Sequence, residues 1–370
     1  MTDIEETEIT RGWRRGSFDA PIVSVRCAAY NHEKYIEECL DSFLMQITDF
    51  AFEVVVHDDA STDRTAQIIR EYEKRFPHII RPIYEAENQT SKDGTIVNEI
   101  MDRACRGRYM AYCEGDDFWT DSEKLQKQYE IMEENDAVTM CCHTVRLTDE
   151  AGAPTGARYP NHGFRSNIIE LQDYLDYVGY PLQTSSFFAR SELVKRYHLE
   201  KPAFMRVVSI GDKPLCLYLL ANGPIWWIDS EMSCYRRFSA GSWSIKTMMD
   251  KEAHSRFLFS LVRMYQEFDR YTGGAYDCHT DGYLWNYYFF NDDYKPLLGP
   301  EFERIRKQKG LLICCFVRVC AALPFTAKII RPIFDRNVRR AVLYNLRTNR
   351  RREAVRRETL KSLLEEEKTS

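Results

Sequence analysis

Apolar positions in the first 150 residues follow two alternating periods. Short runs at Ile22–Ala29, Phe52–His57, Ile79–Tyr84 and Tyr109–Cys113 are too brief for helices and read as buried strands. Between them the period lengthens. Tyr35, Ile36, Cys39, Leu40, Phe43 and Leu44 fall on one face of a helix over 33–46, and Ile68, Ile69, Tyr72 and Phe76 on one face of a helix over 65–76. A third helix over 95–105 leads across Gly107 into the fourth strand. Strands and helices alternating at these lengths predict a parallel sheet with helices on both faces. Downstream the pattern gives a helix over 124–134, a strand over 137–146, a mobile polar loop over 148–167 and a strand over 182–189. A helix over 192–197, an apolar helix over 214–221 and a strand over 225–229 follow, and residues 245–300 read as helical and aromatic. The first 20 residues carry no period and read as a tail with a short turn at Gly12 to Arg15.

Polar groups gather where these strands end. Glu114, Asp116 and Asp117 arrive within four residues after the fourth strand, the end at which open α/β sheets hold ligands. Glu114 and Asp116 are two apart, so in extended chain they leave on one face, and Gly115 between them permits close approach. Hard oxygen ligands at that spacing suit Mg²⁺ or Mn²⁺ carrying a diphosphate. The plainer alternative is an acidic turn ahead of the helix that Thr120 to Glu123 opens. Asp58 and Asp59, Thr184 to Ser186, and Asp212 also stand at element ends, and in a parallel sheet these ends share one edge. Their alternatives are an Asx turn for the aspartate pair and a helix N-cap for Asp212.

Composition adds a setting. The net charge of −5 hides a split: residues 301–357 hold 16 Lys or Arg against 4 Asp or Glu, about +12, leaving about −17 for the rest. Twelve cysteines form no metal-ligand spacing, and the polar start lacks a signal-peptide pattern, so the expected setting is a reducing cytoplasm with free thiols. The apolar run Leu311 to Phe325 is interrupted by Arg318 and Pro324 and is too short to span a bilayer. With cations on both sides over 304–340, it suits an anionic membrane surface from the cytoplasmic side, the competing reading being a core helix with solvated charges. Nothing in the pattern asks for a nucleic acid partner.

Taken in order, the stretches VSVRCAAYNHEKYIEECLDSFLMQ (23–46), HDDASTDRT (57–65), CEGDDFW (113–119), TSS (184–186), GDKPL (211–215) and YR (235–236) resemble a family 2 glycosyltransferase of the GT-A fold. The resemblance covers roughly residues 21–245 and implies an α/β, Rossmann-like, mostly parallel sheet with helices on both faces. Around it lie a tail (1–20), a helical extension (246–300) and a basic amphipathic C-terminal region (301–370). The implied activity is metal-dependent, inverting transfer of a sugar from a nucleotide-sugar donor, first of all a UDP-sugar, to a glycan or lipid-linked acceptor in surface polysaccharide synthesis. It also implies roles: Tyr30, Asn31, Asp58, Asp59, Glu114 and Asp116 at the donor, Asp116 on the metal, and Asp212 as catalytic base. Thr184, Ser185, Arg236, Arg237 and Trp243 are acceptor or phosphate candidates. The chain departs from the family in having Ala28-Ala29 where a Pro is frequent, Glu114 in place of Asp, and no His after Tyr235-Arg236-Arg237. Two other readings compete: a non-catalytic, membrane-attached scaffold that binds nucleotide sugars, and a sugar-phosphate nucleotidyltransferase. The latter needs a Gly-rich phosphate loop after the first strand, and Ala28 to Tyr35 has no glycine.

Overall fold

The structure is a computed structural model describing residues 4–92, 96–177, 181–237, 250–276, 278, 280–323 and 326. The chain divides into two compact units, residues 1–280 and 281–370.

The first unit is built on β1 (Val23–Ala29), β2 (Phe52–Asp58), β3 (Ile80–Tyr84) and β4 (Tyr109–Tyr112), joined by α2 (Ile36–Leu44), α3 (Thr65–Arg75) and α4 (Ile96–Ala104). These strands pair in parallel in the order β3-β2-β1-β4, so the chain reverses its direction of travel across the sheet between β1 and β4. That reversal opens a crevice beyond the C-terminal ends of β1 and β4, the usual ligand position in such sheets. The sheet continues through β9 (Phe188–Arg190), β6 (Met140–Thr148), β10 (Ile225–Arg236) and β5 (Phe118–Trp119). It is mixed, since β4–β9, β6–β9 and β10–β5 are antiparallel, but its longest ladders are parallel.

Helices α2, α3 and α5 (Lys124–Glu134) cover one face, burying Leu40, Phe43, Ile69, Tyr72, Leu125 and Met132 against the strands. On the other face α4, α7 (Ser191–Glu200) and α9 (Asp212–Asn222) pack together, with the rings of Tyr197 and Tyr218 at 5.2 Å and Lys195 Nζ donating to the carbonyl of Cys105 at 2.8 Å.

Four expectations are corrected. The segment 182–189 is not a strand: Gln183 Oε1 accepts from Ser185 N at 2.7 Å and tightens Thr184–Ser186 into a 3₁₀ turn, leaving only Phe188–Arg190 in the sheet. The loop 148–167 contains β7 (Pro154–Tyr159), an antiparallel partner of β6. The strand begun at Ile225 runs to Arg236, bulging between Ile228 and Ser233. The tail holds α1 (Glu6–Thr10), anchored where Glu6 accepts from the backbone of His78 and Ile79 at 2.9 and 3.1 Å.

At the opposite end of the sheet from the crevice, Glu53 is 1% exposed and accepts from Ser24 Oγ (2.6 Å), Arg106 N and Nε (both 2.8 Å) and Arg81 Nη1 (2.6 Å). Burial alone would push this carboxyl up; the hydrogen bonds from Ser24, Arg106 and Arg81 outweigh it and hold it below its ordinary value. A depressed carboxylate stabilises the fold above its unfolded-state pKa and loses that contribution as pH falls through the folded value. Glu53→Gln is therefore expected to cost about 2–3 kcal/mol at neutral pH, less than a fully buried pair because both arginines reach solvent. Urea unfolding of both proteins should show the difference shrinking below pH 4; a difference independent of pH would contradict the assignment.

The second unit has its own core. Helices α11 (Thr280–Phe290, beginning at the boundary), α12 (Glu303–Lys309) and α13 (Leu311–Ala322) enclose Trp285, Tyr294, Leu297, Phe302, Ile305 and Phe316. Helices α6 (Leu171–Asp176), α8 (Ala203–Arg206) and α10 (Lys251–Tyr271) belong to the first unit, where Phe268 of α10 meets Phe204 of α8 edge-on at 5.2 Å.

Candidate active site

The crevice is framed by two loops bonded to each other. After β1, Asn31 adopts a left-handed conformation (φ 56°), its Oδ1 accepts from Thr62 N at 2.8 Å, and its own N–H donates to Ser61 Oγ at 2.9 Å. His32 N donates to Thr65 Oγ1 at 2.8 Å, and Glu33 N to Asp63 Oδ2 at 3.1 Å. Tyr30, on the same loop, is 45% exposed.

The aspartates at the end of β2 divide the work. Asp59 Oδ1 and Oδ2 accept from the backbone of Gln89 (2.6 Å) and Thr90 (3.1 Å), so its carboxylate holds the loop after β3. Asp58 is 3% exposed, and its Oδ1 is buried with no hydrogen-bond partner among the described residues. Asp58 lines a cavity of about 520 Å³ together with Ser61, Thr62, Arg64, Arg70 and Tyr84. A buried acceptor left without a donor costs about 1–3 kcal/mol unless a ligand supplies one.

Beyond β4 the acidic turn is pressed against β1. Gly115 N donates to Ala28 O at 2.9 Å, and a Cβ on Gly115 would lie 2.8 Å from His32 Nδ1 and 3.1 Å from Ala29 Cβ, so any larger residue would have to push the His32 ring aside. Glu114 remains open to solvent at the floor of the crevice, yet the surrounding protein displaces most of its water. That loss of solvent, then Asp116 and Asp212, push its carboxyl up to about 7, against the opposing charge of Arg26. Asp116 and Asp212 thus both lie close enough to Glu114 to repel its charge. Asp212 is half-buried at the first position of α9, two residues ahead of the expected helix start. Burial pushes its carboxyl up, opposed by Lys213 and by backbone N–H groups at the helix start.

Asp117 turns inward. It is fully buried and accepts from Arg236 N at 2.9 Å and Gln183 Nε2 at 3.2 Å, while burial and Asp116 push it up. Arg236 is 3% exposed, donates to the Asp116 carbonyl and to Glu38, and lies between the rings of Phe118 (4.5 Å) and Tyr35 (5.1 Å). It braces the acidic turn from behind. Ser185 is likewise interior, bonded to Gln183 Oε1 (2.5 Å) and Ser233 Oγ (2.8 Å). Thr184 and Arg237 are half-buried, Arg237 N donating to Thr148 O at 3.1 Å, and Trp243 lies outside the described residues.

Sequence reasoning did not single out Arg26. Its guanidinium sits 3.2 Å from Asp102, stacks over Tyr112 at 5.1 Å and lowers the Glu114 pKa. A lone arginine inside a buried strand that holds no other charge was the available signal.

Among the described residues no three His, Cys, Asp or Glu side chains are placed to hold a metal ion alone. The donor set still fits Mg²⁺ or Mn²⁺, which such sites bind through one or two carboxylates completed by substrate phosphates, and the crowded negative charge on Glu114 favours a cation nearby.

Residues 24–196 match the model of glycosyl transferase family 2. This stretch, a little under half of the chain, is what resembles that family. An uncharacterized protein of Mycobacterium tuberculosis is 34% identical over 227 residues, 60% of each chain, so the match spans about three fifths of that relative's length. TuaG of Bacillus subtilis, provisionally named a teichuronic acid biosynthesis glycosyltransferase, is 40% identical over 114 residues, 31% of this chain and 43% of its own. Two solved structures share the fold. TarS 1–349 of S. aureus in complex with UDP-GlcNAc has a TM-score of 0.52 at 19% identity, covering 75% of this chain and 74% of that one. A Pyrobaculum calidifontis mannosyltransferase in complex with GDP-Man and Mn²⁺ has a TM-score of 0.51 at 15% identity, covering 90% and 94%. The GT-A expectation therefore holds.

Proposed function

We propose that the protein transfers a sugar from a nucleoside diphosphate donor to an acceptor hydroxyl, with inversion, in the synthesis of a surface polysaccharide. The observation that carries this reading is the convergence of Glu114, Asp116 and Asp212 on the crevice between β1 and β4. In it, Asp58 accepts an N–H of the donor's base in the adjoining cavity, Tyr30 and Asn31 border the nucleoside, and Glu114 accepts a ribose hydroxyl. Asp59 acts by fixing the loop after β3. When bound, Mg²⁺ or Mn²⁺ held by Asp116 would supply positive charge to the diphosphate as it departs. Asp212 takes the acceptor's proton, a role its raised pKa suits, since a more basic carboxylate is a better proton acceptor near neutral pH. With Asp212 as base, the acceptor oxygen attacks the anomeric carbon as the nucleoside diphosphate leaves, and this single displacement inverts the centre.

A UDP-sugar is the first donor to test and a GDP-sugar the second, following the neighbours' ligands. A glycan or lipid-linked acceptor, met on the cytoplasmic side of the cell membrane, completes the proposal. Incubating the full chain with labelled UDP- and GDP-sugars and Mn²⁺ tests it: transfer or hydrolysis releasing the nucleoside diphosphate supports an enzyme. Tight binding without release would replace this reading with the scaffold, and no binding at all would remove both.

A further inference from the structure

Helix α13 buries only part of its apolar surface. Phe316, Val317 and Cys320 enter the core of the second unit, with the ring of Phe316 5.5 Å from Tyr294 and 5.7 Å from Phe289. On the other side Leu311 (77% exposed), Cys315, Val319 (43%) and Leu323 (49%) recur every four residues and meet solvent. That spacing makes one continuous stripe along the helix. Arg318 is exposed beside it, and Lys309 is exposed just before it.

The charge around the stripe has one sign. From Arg304 to Phe334 the sequence has no Asp or Glu, but it has Arg304, Arg306, Lys307, Lys309, Arg318, Lys328 and Arg331. Some of these are engaged: Arg304 with Asp281, Arg306 with the carbonyls of Leu297 (2.7 Å) and Gly299 (2.6 Å), and Lys307 with Glu303 (2.8 Å). Residues 327–357, which lie outside the described region, add eleven Lys or Arg against two Asp or Glu. The expected cations Lys328, Arg331, Arg336, Arg339 and Arg340 fall there, as do Pro324 and Phe325.

We propose that the exposed stripe of α13 docks on an anionic lipid surface, burying Leu311, Val319 and Leu323 among acyl chains while Lys309 and Arg318 meet headgroups. The helix lies on the surface, because 12 residues reach about 18 Å against a hydrocarbon core of about 30 Å. A second copy fits poorly, since self-pairing would bring two cationic segments together. A nucleic acid would satisfy the cations but leave the apolar stripe without a partner. The proposal does not depend on sugar transfer.

Flotation of the full chain with vesicles of phosphatidylcholine alone, or with added phosphatidylglycerol, tests it. The expected result is flotation with anionic vesicles at low salt, release at high salt, and little with neutral vesicles. Leu311→Glu combined with Val319→Glu alters only exposed positions, so it should abolish flotation with an unchanged circular dichroism melt. Arg318→Glu should weaken flotation roughly tenfold. Wild type remaining at the bottom of the anionic gradient at low salt overturns the proposal. So does the double variant floating as well as wild type, which would assign binding to the basic tail alone. A dimer in light scattering that the double variant dissolves, without flotation, overturns it in favour of a second copy.

Discussion

Asp212→Asn is expected to lower turnover by about 10²–10⁴ while donor affinity stays as in wild type. Asn preserves the size of the side chain and a hydrogen-bond acceptor at the start of α9, so the helix survives, but it cannot take a proton. Donor titration by calorimetry and initial rates with saturating acceptor separate the two quantities. Equal losses in both would mean that Asp212 serves the helix end instead. The pH profile gives a second check. Asp212 acts as the carboxylate and burial pushes its pKa up, so the rate should fall as pH drops through a value above the ordinary aspartate range. An acid limb within that range would argue for a different base.

Asp116→Asn should act earlier, on donor binding. Its expected effect is the loss of the part of nucleoside diphosphate affinity that depends on Mn²⁺, roughly 10²-fold, or about 2.7 kcal/mol. Affinity measured with a chelator present should be the same in both proteins. The melting temperature should also stay put, because Asp116 reaches solvent and the bond that Arg236 makes to this residue goes to the backbone carbonyl. Unchanged Mn²⁺ dependence in the variant would remove Asp116 from the metal.

The elements from β1 to β4 were legible because their signals are local: strand runs a few residues long, helices with the right period, and Gly or Pro at the joints. The misread segments are those whose conformation depends on distant partners. Helix α1 exists because Glu6 reaches the backbone at residues 78 and 79, and no pattern within residues 1–20 records that. Thr184–Ser186 has an apolar run on its C-terminal side, yet a side-chain cap from Gln183 turns it out of the sheet. Site residues divide the same way. Spacing announced Glu114 and Asp116, whereas the different duties of Asp58 and Asp59 depend on which one the backbone at Gln89 and Thr90 meets. The inward positions of Arg236 and Ser185 follow from long-range contacts with Asp116 and Ser233, which no local motif encodes.

Asp117 bears on any attempt to move this site into another protein. Its sequence neighbours suggest a turn that could be grafted as a cassette onto the end of a parallel strand. Its oxygens, however, are answered by the amide of Arg236, 119 residues downstream, and by the amide of Gln183, 66 residues downstream. In a host lacking those two donors the same side chain would be a buried carboxylate with nothing to bond, and it would either take up a proton or swing out and drag Asp116 with it. The smallest transferable part is therefore three strands of chain brought together in space, and a library that varies residues 114–117 alone should return inactive folds more often than new specificities.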